Sequence, residues 1–172
     1  FMQWTPDIEP CKTLVFSEQG LGDEIMFASC LKDFKQCATE VILECDPKLK
    51  YLFERSFPFA QVVANRDPKN TDWASEFGID AQISCGSLPR YFRNSLESFG
   101  EGEPYLYPDA TKVSKWSNKL VRFEGKRLVG LSWRGGVYVT RTGLRSIPTQ
   151  ELGPLLNLPN TEFFSLQYSN NC

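Results

Sequence analysis

Short, densely apolar runs alternate along this chain with longer stretches of helical spacing. Residues 12–16 (KTLVF), 39–45 (TEVILEC), 60–64 (AQVVA), 80–85 (DAQISC), 127–133 (RLVGLSW) and 162–167 (EFFSLQ) read as strands. The near-continuous apolar centre of 39–45 suits a strand buried on both faces of a parallel sheet. Ile25, Met26, Ala28, Leu31 and Phe34 recur at three- and four-residue spacing, which predicts a helix over 23–36. Asp46 and Pro47 supply the cap and first residue of a helix running to about Ser56. Further helices are expected from Gly86-Ser87 to about Phe99, over 110–123 and over 148–158, with 65–71 as a polar loop.

Strands alternating with helices imply parallel strands joined by right-handed crossovers. The expected fold is α/β, a Rossmann-like parallel sheet with helices on both faces. The likeliest internal boundary falls between Phe123 and Arg127. That divides the chain into a first domain, 1–124, and a second unit, 125–172, with room for one incomplete β-α-β start. An unpaired edge of that unit would offer a route to a homo-oligomer.

Composition narrows the chemistry. The 172 residues can bury a core without disulfide or metal staples. A net charge of −2 gives no global attraction to nucleic acid. The sequence holds no histidine, so imidazole-based triads and zinc sites are excluded, and carboxylates must carry any proton transfer near neutral pH. Six scattered cysteines, none in CxxC spacing, read as reduced, mostly buried thiols. No apolar run has the length of a membrane span and no signal peptide is visible, so the expected compartment is the cytoplasm. Phe1 ahead of Met2 suggests an excised fragment.

Three segments could carry chemistry. The first is Ser17-Glu18-Gln19-Gly20-Leu21-Gly22-Asp23-Glu24, in the turn after the first long strand, where sheets of this class bind ligands. Gly20 and Gly22 permit positive φ and close backbone approach. Ile25 stands where a dinucleotide fingerprint needs its third glycine, and the Gly-Lys-Ser/Thr ending of a P-loop is missing. A carboxylate at a helix start competes with phosphate for the same field, so Asp23 more plausibly meets a neutral hydroxyl. The plainer reading is that Asp23 is a cap. The second segment is Ser132-Trp133-Arg134-Gly135-Gly136. It lies in an acid-free stretch, 125–150, that also holds Lys126, Arg127, Arg141 and Arg145. Backbone amides at Gly135 and Gly136, with the forks of Arg134, Arg141 and Arg145, suit a diphosphate; a solvated basic loop is the plainer reading. The third is Gly86 to Arg93, where Arg90 and Arg93 could line the same cleft or simply decorate a capped surface helix.

In order and spacing, SEQGLGDEIMF, LECDPKL…LFERSFP, CGSLPRYFR, PYLYPD, VGLSWRGG and RSIPTQEL…FFSLQ resemble the glycosyltransferase-like domain that follows tetratricopeptide repeats in bacterial proteins. That domain is similar to the heptosyltransferases of glycosyltransferase family nine. The resemblance covers about residues 12–168 and implies a GT-B fold, whose first domain holds the acceptor and whose second holds the nucleotide-sugar. It implies Asp23, in the Gly22-Asp23 pattern, as catalytic base; Gly20, Gly22, Arg90 and Arg93 are the candidate residues on the acceptor side. Arg134, Gly135, Gly136, Arg141 and Arg145 would hold the donor phosphates, with no metal and no cofactor. A full donor domain needs several more strands than follow Gly125, so the chain is expected to be a fragment or the product of a truncated gene. The expected partners are a nucleotide-sugar and a hydroxyl acceptor, glycan or protein. A non-catalytic sugar-, nucleotide- or protein-binding module of the same ancestry is the alternative. A flavodoxin- or receiver-like domain is disfavoured, because neither a flavin-phosphate loop nor a phospho-acceptor pocket with a lysine is found.

Overall fold

A computed structural model of the chain describes residues 1–18, 20–65, 67, 70–100, 102–135 and 142–167. It divides into two compact units, Phe1–Ala110 and Thr111–Cys172. In the first unit, β1 (Met2–Gln3), β2 (Cys11–Phe16), β3 (Ala38–Cys45), β4 (Ala60–Ala64) and β5 (Ala81–Ser84) form one sheet in the order β1-β5-β2-β3-β4, with every pairing parallel. This is the Rossmann-like arrangement expected from the alternating pattern. β2 lies between β3 and β5, and its interior residues Thr13, Leu14 and Val15 are all buried.

The two sheet faces are covered unequally. Side chains alternate along a strand, so Val15, Leu43 and Ile83 enter one core while Leu14 and Ile42 enter another. The larger core packs under α1 (Leu21–Phe27), α2 (Leu31–Phe34), α3 (Lys50–Ser56) and α4 (Pro89–Phe92). The smaller one lies under a single 3₁₀ segment, Asp72–Phe77, through Ala74, Trp73 and Phe77. Sequence periodicity had not placed that segment.

Three expected helices are interrupted. The stretch over 23–36 opens earlier, at Leu21, and passes through 3₁₀ turns at Ala28–Cys30 and Lys35–Cys37. Asp46 caps a turn, its Oδ1 accepting the Lys48 N–H at 2.8 Å, and the helix proper starts only at Lys50. The helix expected to reach Phe99 stops at Phe92, where Arg93 leaves helical geometry; a 3₁₀ turn follows at Glu97–Phe99.

The N-terminal segment, which periodicity does not place, is part of the fold. Met2–Gln3 adds a parallel edge strand to β5, and the Trp4 N–H donates to the Gln82 carbonyl at 2.8 Å. Trp4 is 1% exposed. Its ring meets Phe34 and Tyr91 edge-on at centroid distances of 5.0 and 5.4 Å, and stacks near Phe92 at 6.4 Å. Burying an indole among edge-on rings adds pairing energy to area burial.

In the second unit, α5 (Ala110–Leu120) precedes a two-stranded parallel sheet of β6 (Arg127–Leu131) and β7 (Thr161–Ser165), bridged by 3₁₀ turns and α6 (Gly153–Leu156). This is the β-α-β unit expected after Gly125. Phe123 meets Phe164 edge-on at 5.3 Å. No residue of this unit reaches the buried class among those described.

Trp4→Ala is expected to destabilise the first unit by roughly 3–5 kcal/mol, read as a lower urea midpoint with an unchanged slope. A loss below ~1 kcal/mol would show that the N-terminal segment is not part of the core.

Candidate functional site

The chain runs from β2 outward to β3 and β4, then returns to the other side of β2 for β5. Crossovers leaving in opposite directions open a crevice at the carboxyl ends of β2 and β5. The register Phe16↔Ser84 sets those ends side by side. Ser84 ends β5 buried, and its hydroxyl donates to the Glu18 carboxylate two residues past β2. The Ser84 oxygen also accepts the Gly86 N–H at 3.2 Å, which starts the 3₁₀ turn Cys85–Ser87.

Gly20 is the N-cap of α1, and Asp23 turns back so that its Oδ2 accepts the Gly20 N–H at 3.2 Å. The capping role weighed for Asp23 is therefore present. The expectation that Gly20 and Gly22 supply positive φ does not hold. Gly20 lies in the extended region at φ −83°, and Gly22 is an ordinary helical residue absent from the left-handed region. A side chain at Gly22 would meet nothing within 4 Å. What glycine leaves here is bare, approachable backbone.

The acid beside Asp23 takes a different role. Glu24 is 4% exposed, and its Oε2 accepts the Asp46 N–H at 2.9 Å, tying the start of α1 to the end of β3. One strand residue earlier, Glu44 accepts from Asn65 Nδ2 at 2.6 Å. The same amide reaches the Asp67 and Asn70 carbonyls, and Trp73 Nε1 donates to Asn70, so the loop after β4 is stitched to β3. Burial pushes the Glu44 carboxyl above its usual range; Asn65 opposes this and the nearby Glu24 charge adds to it. Beside these groups lies a cavity of about 370 Å³, on the sheet face under the 3₁₀ segment, lined in part by Phe16, Glu18, Glu44, Trp73 and Gln82.

Cys45 and Cys85 are buried in the larger core. Burial, with Glu24 adding its charge, pushes both thiols up to about 12. They stay protonated at neutral pH and are not nucleophiles. Among the described residues no group of three or more cysteines and acids could hold a metal.

Arg90 and Arg93 part company. Arg90 is exposed on α4, its guanidinium 5.9 Å from the Tyr91 ring. Arg93 donates to Asp33 Oδ2 at 2.7 Å, to the Ser29 carbonyl at 3.1 Å and to the Phe92 carbonyl at 2.6 Å. Ser29 is about 9 Å farther along the helical stretch than Asp23. Arg93 thus locks α4 to the far end of that stretch and is not brought to the Gly20–Asp23 turn.

In the second unit the structure brings Arg134, Gly135 and Arg145 together. Ile147 N–H donates to the Trp133 carbonyl at 2.9 Å, and Arg134 bridges Ser146 in antiparallel fashion. A Cβ on Gly135 would lie 3.6 Å from the Arg145 carbonyl, ordinary contact. Gln167 holds the turn from below, accepting the Arg134 N–H at 3.0 Å and donating to its carbonyl at 3.4 Å. A cavity of about 490 Å³ opens there, lined in part by Trp133, Arg134, Ser146 and Thr149. Gly136 and Arg141 lie outside the described residues.

Sequence reasoning passed over Glu18, Ser84, Glu44 and Gln167. The signal for Glu18 and Glu44 was position alone: an acid at the carboxyl end of a buried strand.

Compared with known proteins, the chain is 27% identical over 184 residues to protein FlbA of Caulobacter vibrioides. That alignment covers 98% of this chain and spans 30% of the relative's length. No family model matches the sequence, and no solved structure matches it.

Glu44→Gln tests the carboxylate stitching. A carboxyl raised in the folded state binds its proton more tightly there than in the unfolded chain. The wild type therefore loses stability as pH rises out of the ordinary carboxylate range, through the raised value. Gln keeps an acceptor for Asn65 and removes that loss. Stability against pH for the variant should lack the wild-type decline just above the usual carboxylate pKa; parallel curves would show that Glu44 titrates normally.

Proposed function

We propose that the chain is a glycosyltransferase-like domain that moves a sugar from a nucleotide-sugar to a hydroxyl acceptor, glycan or protein, by an inverting, metal-independent route. The observation that carries this reading is the place of the Ser17–Asp23 turn. It follows the strand at which the sheet order reverses, where sheets of this kind hold ligands. The Gly20 amide fixes Asp23 through one oxygen, and a carboxylate keeps acceptor capacity beyond one bond. Asp23 takes the acceptor hydroxyl's proton as that oxygen bonds to the anomeric carbon. The bond from that carbon to the diphosphate breaks, and the diphosphate leaves with the electron pair.

The second unit, taken by itself, carries groups of the kind a diphosphate needs. Guanidinium forks at Arg134 and Arg145, beside the backbone of Gly135, suit a departing diphosphate. Gln167 keeps the Arg134 backbone in place without drawing on its guanidinium. Strands β6 and β7 run parallel, which leaves this turn at the carboxyl edge of their sheet.

The surroundings agree with a reducing, water-filled compartment. Cys11, Cys30, Cys37, Cys45 and Cys85 are free thiols, which favours the cytoplasm. Among the described residues no helix is long and apolar enough to cross a membrane. A net charge of −2 argues against a nucleic-acid partner. The outer edges of β6 and β7, which pair only with each other among the described residues, are the place for a second copy to add strands.

A second reading keeps the fold and drops the chemistry. Asp23 already serves as a helix cap, as a non-catalytic sugar- or nucleotide-binding module would have it.

Release of nucleoside diphosphate from a panel of nucleotide-sugars separates the two readings. In the natural protein Asp23→Asn should lower turnover by ~10²-fold or more, while the fold persists because Asn still accepts from Gly20. Turnover at the wild-type rate removes Asp23 as the base. Arg134→Ala and Arg145→Ala should each weaken nucleoside diphosphate binding by about tenfold. Binding without turnover of any donor would leave the module reading standing.

A further inference from the structure

The turn that carries Asp23 is tied to both strands that flank β2. On one side the hydroxyl of Ser84, buried at the end of β5, donates to the Glu18 carboxylate. On the other side Glu24 Oε2 accepts the Asp46 N–H at 2.9 Å, just past β3. β5 and β3 are the two neighbours of β2 in the sheet. Asp23 stands between these anchors in the sequence, and its own Oδ2 closes onto the Gly20 N–H at 3.2 Å. A single residue separates Glu18 from Gly20. Two residue steps reach at most about 7–8 Å, so an anchored Glu18 leaves the Gly20 cap little room to move.

Helix α1 does not fix that cap by itself. It has seven residues, and a helix so short has little stability of its own in water. Its first turn takes its place from packing, with Leu21 and Ile25 against the larger core, and from the two glutamate bonds. The Ser84 hydroxyl carries the connection one step further. Its oxygen accepts the Gly86 N–H at 3.2 Å, which opens the 3₁₀ turn Cys85–Ser87 ahead of α4. That turn lies against α1. Gly86 N–H, Ser84 O–H and the Glu18 carboxylate thus form a chain in which each bond polarises the next. The turn after β2 and the turn after β5 are held as one piece.

We propose that Glu18 and Ser84 are positioning residues. Together with the Glu24 bond, their contact makes a two-point mount that holds the Gly20–Asp23 turn at the carboxyl end of β2. Glu24 is buried and serves the fold whatever the site does. Glu18 is exposed, where a polar contact adds little to stability and still fixes geometry. Neither Glu18 nor Ser84 needs to touch a reacting atom. The kinetic consequence rests on the reading of Asp23 as the base, and the mount itself does not. A base misplaced by about 1 Å costs on the order of 10²-fold in rate.

Amide hydrogen exchange and steady-state kinetics on the full chain test this together. Glu18→Ala removes the anchor and leaves the Ser84–Gly86 bond in place. The Gly20 amide should then exchange at least about fivefold faster, the size of one hydrogen bond, while the amides of the β2–β3 ladder keep their rates. Glu18→Gln, whose side-chain oxygen still accepts from Ser84, should restore the wild-type rate, and Ser84→Ala should repeat the effect of Glu18→Ala. Because Glu18 is exposed, its two variants keep the fold even where Ser84→Ala loses it. Unchanged Gly20 exchange in Glu18→Ala, faster exchange across the whole sheet, or a Glu18→Gln variant as loose as Glu18→Ala overturns the mount. In turnover of a nucleotide-sugar, Glu18→Ala should lower kcat by about ten- to a hundredfold with the donor KM unchanged, and Glu18→Gln should recover it. Turnover lost in Asp23→Asn but kept in Glu18→Ala overturns the positioning role and leaves the transferase reading intact. A wild-type chain that turns over no donor defeats that reading, and the exchange rates then decide the mount alone.

Discussion

A parallel strand ends with backbone groups that its neighbours cannot all satisfy, and in this protein carboxylates placed at those ends do the work. Glu24 accepts the Asp46 N–H just past β3 at 2.9 Å from a site that is 4% exposed. A hydrogen bond to a charged group contributes about 1.5–3 kcal/mol net, and an unpaired buried donor costs about as much. Because Glu24 rides on the first turn of α1, one contact fixes where that helix starts, how it lies on the sheet, and where β3 turns toward α3. Near the ends of β2 and β3, Glu18 and Glu44 instead accept from side chains, the Ser84 hydroxyl and the Asn65 amide. The rim that could bind a ligand is therefore built from the same bonds that close the fold.

This has an electrostatic consequence. Burial first, and then the nearby Glu24 charge, hold the Glu44 carboxyl above its usual range. The protein tolerates it because each charge is tied to a donor and because the N-terminus of α1 offers its positive end to Asp23. The thiols of Cys45 and Cys85 are pushed up chiefly by burial, with the Glu24 charge adding to it, and are held protonated. In the first unit, then, acids gather at the strand ends; in the second, the described lining of the cavity carries Arg134. The division of sign follows from sequence, where the acid-free stretch begins only after Gly125.

What was legible in the sequence was what periodicity encodes. The runs 39–45 and 60–64 lie inside real strands because a buried parallel strand needs continuous apolar character. Met2–Gln3 was invisible because two residues have no period, and its anchor is a single indole, Trp4, whose partners Phe34, Tyr91 and Phe92 are distant in sequence. Helix ends were misplaced where 3₁₀ turns break the ladder, at Ala28–Cys30 and after Phe92. Opening α1 at Leu21 rather than Asp23 matters to the site: adjacent acids on a helix point about 100° apart, so one start buries Glu24 and leaves Asp23 at the cap. The Glu18–Ser84 pair joins residues that only the β2–β5 register brings together. Tertiary pairing of that kind leaves no local trace.

The second unit holds its basic turn with little structure around it. Its sheet has two strands, and two strands alone have little independent stability. Close packing compensates at one point: a Cβ on Gly130 would come within 2.6 Å of the Leu166 side chain, so glycine lets Leu166 lie directly on β6, with its N–H donating to the Leu131 carbonyl at 2.8 Å. That contact carries the chain one residue further to Gln167, whose side-chain amide pairs with both backbone groups of Arg134 as an added strand would. Segments that meet ligands come from the less stable end of a protein's range. Here a glycine, a leucine and a glutamine position the basic turn by local bonds alone, which is why the turn is ordered at Arg134 and Gly135 without a buried core beneath it.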